Sequence, residues 1–141
     1  LIDKGADLNH MNGEGITPTM DAVSWGDQFN IALMLLEAGA DYKIYMPKTN
    51  ERLIHVVALI NDNQRAMWSP QQAADYQKLV NWLESHGESM EVAKADIKRW
   101  QSYNSTTPDE FRRKMDAEIA QREAREAAEK RSAPEKSEQK Q

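Results

Sequence analysis

His10, His55 and His86 are the side chains of this chain best suited to acid–base or metal chemistry, and their spacing favours neither. They stand far apart, no H-x-x-H pair occurs, and the absence of cysteine removes thiolate ligands, thiol nucleophiles and disulfides together. Gly13-Glu14-Gly15 lacks the lysine and the preceding strand of a phosphate loop. No Gly-x-Ser-x-Gly elbow and no paired-carboxylate pattern is present. Asn104-Ser105-Thr106 has the form of a glycosylation sequon, a triplet short enough to arise by chance. The expectation is therefore a protein without catalytic residues, cofactor or metal. His10 is expected to be exposed, and His86, just before a helix stop, can place a positive imidazole at the negative end of the helix dipole.

Charge narrows the partners. The 141 residues carry a formal charge of −5, and in the stretch from Asp109 to Gln141 the acidic and basic side chains are equal in number and cancel. The whole deficit thus falls on residues 1–108, an acidic body unsuited to nucleic acid, whose binding rests on neutralising phosphates. No apolar run approaches the roughly 18 residues that cross a bilayer. The chain opens on Leu1, inside what reads as a repeat, so any signal peptide, lipidation site or earlier repeat is expected to lie upstream.

The elements that position these residues recur. Leu1-Ile2-Asp3-Lys4-Gly5-Ala6-Asp7 is echoed by Leu35-Leu36-Glu37-Ala38-Gly39-Ala40-Asp41, and the interval from Gly5 to Gly39 is that of a structural repeat. Each copy ends a helix: an apolar pair closes the packed face, and Gly takes the left-handed conformation that terminates it. Between the copies, Thr17 caps a helix with Pro18 at its first position, running to about Trp25. Gly26-Asp27 breaks it, and a second helix from about Asn30 sets Ile31, Met34, Leu35 and Ala38 on one face. Finger, helix, turn and helix make the unit.

Gly15, Thr17, Pro18, Ala22, Gly26, Leu35, Leu36, Gly39, Ala40 and Asp41 stand in the order of the ankyrin repeat, G-x-T-P-L-H-x-A-A-x-x-G followed by L-L-x-x-G-A-D, which this chain resembles. Thr19, Met20 and Val23 depart from that pattern. A degenerate unit follows, with Ile54-His55-Val56-Val57-Ala58 in place of L-H-x-A-A and Leu79 to Gly87 as its second helix. The interval from Gly39 to Gly87 is longer than that from Gly5 to Gly39, so an insertion is placed within Asn61 to Gln72. Trp68 lies there, able either to pack inward or to meet a partner, ahead of a helix start at Ser69-Pro70. The resemblance implies an all-α solenoid over residues 1–88, with its first repeat clipped. It also implies that His55 bridges backbone groups of adjacent repeats.

The remainder reads as a terminal cap. Residues 89–103 form a capping helix with Val92, Ala95, Ile97 and Trp100 inward. Thr107-Pro108-Asp109-Glu110 is a capping box opening a charged helix over 107–131, docked through Phe111, Met115 and Ile119 and solvated from Arg122 onward. Ion pairs are expected at Glu110–Lys114, Glu118–Arg122 and Glu126–Lys130. Residues 132–141 have the composition of a disordered tail.

By the resemblance, function lies on the concave groove of fingers and first helices, where another protein binds. The positions that fall there are Glu14, Ile16, Asp21, Ser24, Trp25, Tyr45, Glu51, Leu59 and Ile60, with Trp25, Leu59 and Ile60 side by side as the centre. Leu59 and Ile60 turn into the core instead if the degenerate repeat shifts register. The stretch from Gly39 to Trp100, with Tyr42-Lys43-Ile44-Tyr45, Arg52-Leu53-Ile54-His55 and Trp82 to Gly87, more loosely resembles bacterial ankyrin proteins encoded beside secreted phospholipase toxins. That likeness implies an immunity factor neutralising a cognate toxin in the bacterial cytoplasm or periplasm. The chain is otherwise expected to be a monomer.

Overall fold

A computed structural model describes residues 7–26 and 28–138, with the side chains of 25, 26, 62–65 and 132–138 left out of the description. The described residues form six α-helices and one 3-10 turn, with no strand: α1 Pro18–Gly26, α2 Phe29–Glu37, α3 Leu53–Gln64, the turn Arg65–Met67, α4 Pro70–Ser85, α5 Met90–Tyr103 and α6 Pro108–Glu138. The fold is all-α. Helix α3 packs between α1 and α5, while α1 packs on α2 and α2 on α4, so α1, α3 and α5 form one row and α2 and α4 a second.

Local chemistry sets the boundaries. Thr17 Oγ1 accepts the Met20 N–H at 3.3 Å at the start of α1, and Ser69 makes a reciprocal capping box with Gln72 at the start of α4. Thr107 Oγ1 accepts the Glu110 N–H at 3.2 Å to open α6. Gly39 (φ 110°) and Gly87 (φ 99°) stop α2 and α4 in the left-handed region, and in both the following N–H reaches back to the helix, Ala40 to Leu35 and Glu88 to Leu83. The repeat interval reappears as hydrogen bonding: Asp7 Oδ1 accepts from Asn9 N–H, and Asp41 Oδ1 accepts from Lys43 N–H. Asn9 Oδ1 then accepts from Asp41 N–H at 2.7 Å, tying one finger base to the next.

The two fingers touch at their tips as well. The first closes through Asn12 N–H to Ile16 O, the second through Met46 N–H to Glu51 O. Gly15 (φ 80°) lies against the Pro47 ring so closely that a Cβ there would stand 2.3 Å from Cδ.

The core runs through both rows. Phe29, Met20, Leu53, Leu79 and Leu83 are its largest fully buried side chains. Trp68 packs inward: with Phe29 and Tyr76 it makes three mutual ring contacts of 4.8–5.2 Å, and the Tyr76 hydroxyl donates to Val57 O. The lengthened link therefore becomes an extra plug for the core.

Several expectations change. Helix α2 turns Phe29, Ala32 and Leu36 inward, leaving Ile31 and Met34 exposed, because Phe29 must reach Trp68 and Tyr76 across α4. In α5, Ala93 and Trp100 are buried while Val92 and Ala95 are exposed; the helix meets α3 through Asp96 and Trp100, which contact His55, and leaves Val92 at the edge of that face. Helix α6 continues to Glu138, past the expected boundary at Arg131 and through Ser132 and Pro134. Residues 139–141 of the expected tail lie outside the described residues.

Candidate functional site

Helix α6 leans against α5 and the second finger and encloses with them an open cleft of about 1410 Å³. Its docking is short. Met115 is buried and Phe111 and Ile119 are half-buried; beyond them the exposed side chains from Glu123 to Arg131 border the cleft or face solvent.

A continuous polar relay crosses the floor. His55 Nε2 lies 3.0 Å from Asp96 Oδ2, Asp96 Oδ1 is 3.1 Å from Arg99 Nη1, and Arg99 Nη2 is 2.8 Å from Glu118 Oε1. Three helices, α3, α5 and α6, are thereby linked in sequence. Glu118 also accepts from Trp100 Nε1 at 3.1 Å and from the Tyr103 hydroxyl at 2.6 Å. Burial alone would raise this carboxyl, but the donors from Arg99, Tyr103 and Trp100 outweigh it and bring it from 4.5 to about 2.

A second clamp lies nearer the finger. Arg52 forms a two-pronged ion pair with Glu88 (2.8 and 2.6 Å) and also donates to the Tyr45 hydroxyl. The Arg122 guanidinium sits 3.8 Å from the centre of the Tyr45 ring and donates to Asn50 Oδ1, while Arg112 donates to Lys48 O. Helix α6 is thus fixed to the finger by arginines and to α5 by a glutamate.

His55 has no free ring nitrogen. Nδ1 accepts the Arg52 backbone N–H at 3.1 Å, so the neutral ring carries its proton on Nε2 and donates it to Asp96. Burial pushes its pKa below 6.5 despite Asp96. A second proton would set N–H against N–H at Nδ1. The expected bridge is therefore half backbone and half carboxylate: the contact into the next unit goes to the Asp96 side chain, because α5 presents an acid there.

His86 stacks on Trp82 at 3.7 Å between ring centres, and its Nδ1 lies 2.7 Å from Trp82 O at the end of α4. The Tyr42 hydroxyl donates to His86 O. This imidazole sits at the helix end, where donors are wanted.

Of the eight positions expected to bind a partner whose side chains are described, Tyr45 alone lines the cleft. Glu14 and Asp21 are exposed, Ile16 is half-buried against the core, and Ser24, Glu51 and Leu59 are half-buried. The Trp25 side chain lies outside the described residues. Ile60 is corrected: at 7% exposure it belongs to the core, because α3 is packed on both flanks and buries Leu53 to Ala58 as well.

Sequence reasoning missed Arg52, Glu88, Asp96, Arg99, Glu118 and Arg122. One signal for part of the set was local: Asp96, Arg99, Trp100 and Tyr103 fall at i, i+3, i+4 and i+7, a single helical stripe of polar and aromatic residues. Glu118 was expected to pair with Arg122 along the helix. It turns toward that stripe instead, and among the described residues the i,i+4 ion pairs of α6 are Arg112–Asp116 and Arg122–Glu126.

Among the described residues, no group of three or more His, Asp or Glu could hold a metal ion, and no helix is long and apolar enough to cross a membrane. Comparison with protein-family models, with curated proteins and with solved structures finds no match. The likeness to ankyrin repeats accordingly rests on the residues quoted for it.

Proposed function

We propose that this chain is the capped end of an ankyrin-like protein-binding module whose partner docks in the cleft between the second finger, α5 and α6. The cleft carries this reading. At about 1410 Å³ it is larger than the 300–1,000 Å³ typical of small-molecule sites, and it is open along its length, dimensions suited to a polypeptide segment. The two rows of helices, with fingers joined at base and tip, support the repeat reading. His55, with both nitrogens engaged, serves better as a strut than as a base. Relative to the groove expected around Trp25, the proposed site is displaced toward the C-terminal cap, and Tyr45 belongs to both.

Site-directed photocrosslinking tests it. A benzophenone side chain at Val92, which lines the cleft and is 59% exposed, is expected to yield a discrete protein adduct in extracts of the source cells. The same group at Lys78, exposed on α4, is expected to yield none. Equal labelling from both positions, or none from Val92, refutes the cleft as the docking site.

A further inference from the structure

We infer that the cleft selects an acidic segment of its protein partner, one that also carries an apolar side chain. This rests on the cleft being the docking site and adds the chemistry of what docks. Seven Lys or Arg and five Asp or Glu line the cleft, a surplus of two positive charges in a chain of net charge −5. The distribution of partners matters more than the count. Glu88 is held by Arg52, Asp96 and Glu118 by Arg99, and Glu126 by Arg122. The charge of these four is spent internally, and the fifth, Glu129, has an interaction of its own.

Four lining cations have no described carboxylate within 4 Å: Lys43 on the finger, and Lys114, Arg125 and Lys130 on α6. Lys43 and Lys114 lie over the Tyr42 and Tyr103 rings at 5.5 and 5.2 Å, contacts that leave an ammonium free to meet an anion. They approach from both sides of the opening, so a segment lying between finger and helix meets positive charge on either wall. Val92 supplies an apolar contact on the α5 side.

The acidic body outside the cleft selects the form of the ligand. A long polyanion such as nucleic acid would have to run past it, whereas a short acidic peptide ends within the positive field. Because these cations are exposed or half-buried, they contribute more to encounter and selectivity than to depth of binding.

The test uses the full chain and fluorescein-labelled repeat peptides of Glu-Glu-Leu, Gln-Gln-Leu and Lys-Lys-Leu, with binding read by anisotropy at low salt. Glu-Glu-Leu is expected to bind at least about tenfold more tightly than either of the others. The triple variant K43E/R125E/K130E is expected to lose about tenfold or more, and K78E/K98E, exposed residues outside the cleft, to bind like the parent. Circular dichroism checks that both variants retain their helix. Equal loss in the two variants, or no preference for Glu-Glu-Leu, overturns the assignment. If a Val92 crosslink forms under those conditions, the cleft stands as a docking site and only its acidic selectivity falls. A longer polyanion, single-stranded oligodeoxythymidine, competing as well as Glu-Glu-Leu also overturns it in favour of a nucleic-acid groove.

Discussion

The two ends of this molecule are held by different forces. Around Phe29, Trp68 and Tyr76, helices α2 and α4 and the link before α4 meet through rings that exclude water. Between α5 and α6 the apolar contribution shrinks to Met115 with two half-buried neighbours, and a carboxylate ringed by three donors takes over. Apolar burial is non-directional and scales with area, so the first region is strong and insensitive to pH. Hydrogen-bonded ion pairs are directional and small in net stability, so the second is a latch that one group can open.

The difference can be broken first at Phe29. Phe29→Ala removes the ring shared by Trp68 and Tyr76 and is expected to cost about 3–5 kcal/mol in chemical denaturation, lowering the stability of the whole body. A loss below about 1 kcal/mol would mean that the body does not depend on the aromatic cluster.

Glu118→Ala sharpens the contrast from the other side. It leaves the Trp100 indole and Tyr103 hydroxyl without their acceptor and Arg99 with Asp96 alone, at an expected cost of about 1–3 kcal/mol confined to α6 docking. Hydrogen exchange should accelerate in Phe111 to Arg122 while Leu53 to Ala58 remains protected. Uniform acceleration through both segments would show that latch and body unfold as one.

Acid separates the regions more gently. The Glu118 carboxyl is depressed to about 2, so its contribution is complete above its unfolded value near 4.5 and declines as pH falls from there toward 2. His55 is also depressed, so the unfolded chain takes up its proton first; that contribution is intact above 6.5 and declines below it, toward the lower folded value. Two acid steps are expected, the earlier at the α3–α5 seam and the later at α6. NMR should show His55 more neutral than protonated at pH 6.5, with the proton of the neutral ring on Nε2; a half-protonated ring at that pH would remove the first step.

Much of the apolar region was legible in the sequence because its signals are local. Thr17-Pro18, Ser69-Pro70, Gly39 and Gly87 mark helix ends through their own backbone chemistry, and they do so regardless of what packs nearby. Which face of a helix turned inward was harder: α2 carries apolar residues nearly all round, so only the reach of Phe29 to Trp68 chooses between Ile31 and Ala32. The latch was illegible for another reason. Glu118 has Arg122 one turn away in sequence, and its preference for Arg99 exists only after α6 has folded back on α5. Ile60 was misplaced because the resemblance carried a groove position onto it, whereas α3 is packed by α1 on one flank and α5 on the other.

The contact of Gly15 with Pro47 carries a consequence for kinetics. Two hairpin tips pressed together at a point where no side chain fits, and tied again at Asn9 and Asp41, cannot splay independently. They form a stiff comb. If a chain docks against it, as proposed, the ordering cost would fall mainly on that chain rather than on the comb. For a partner docking against the second finger as proposed, that wall of the cleft would need no rearrangement on encounter.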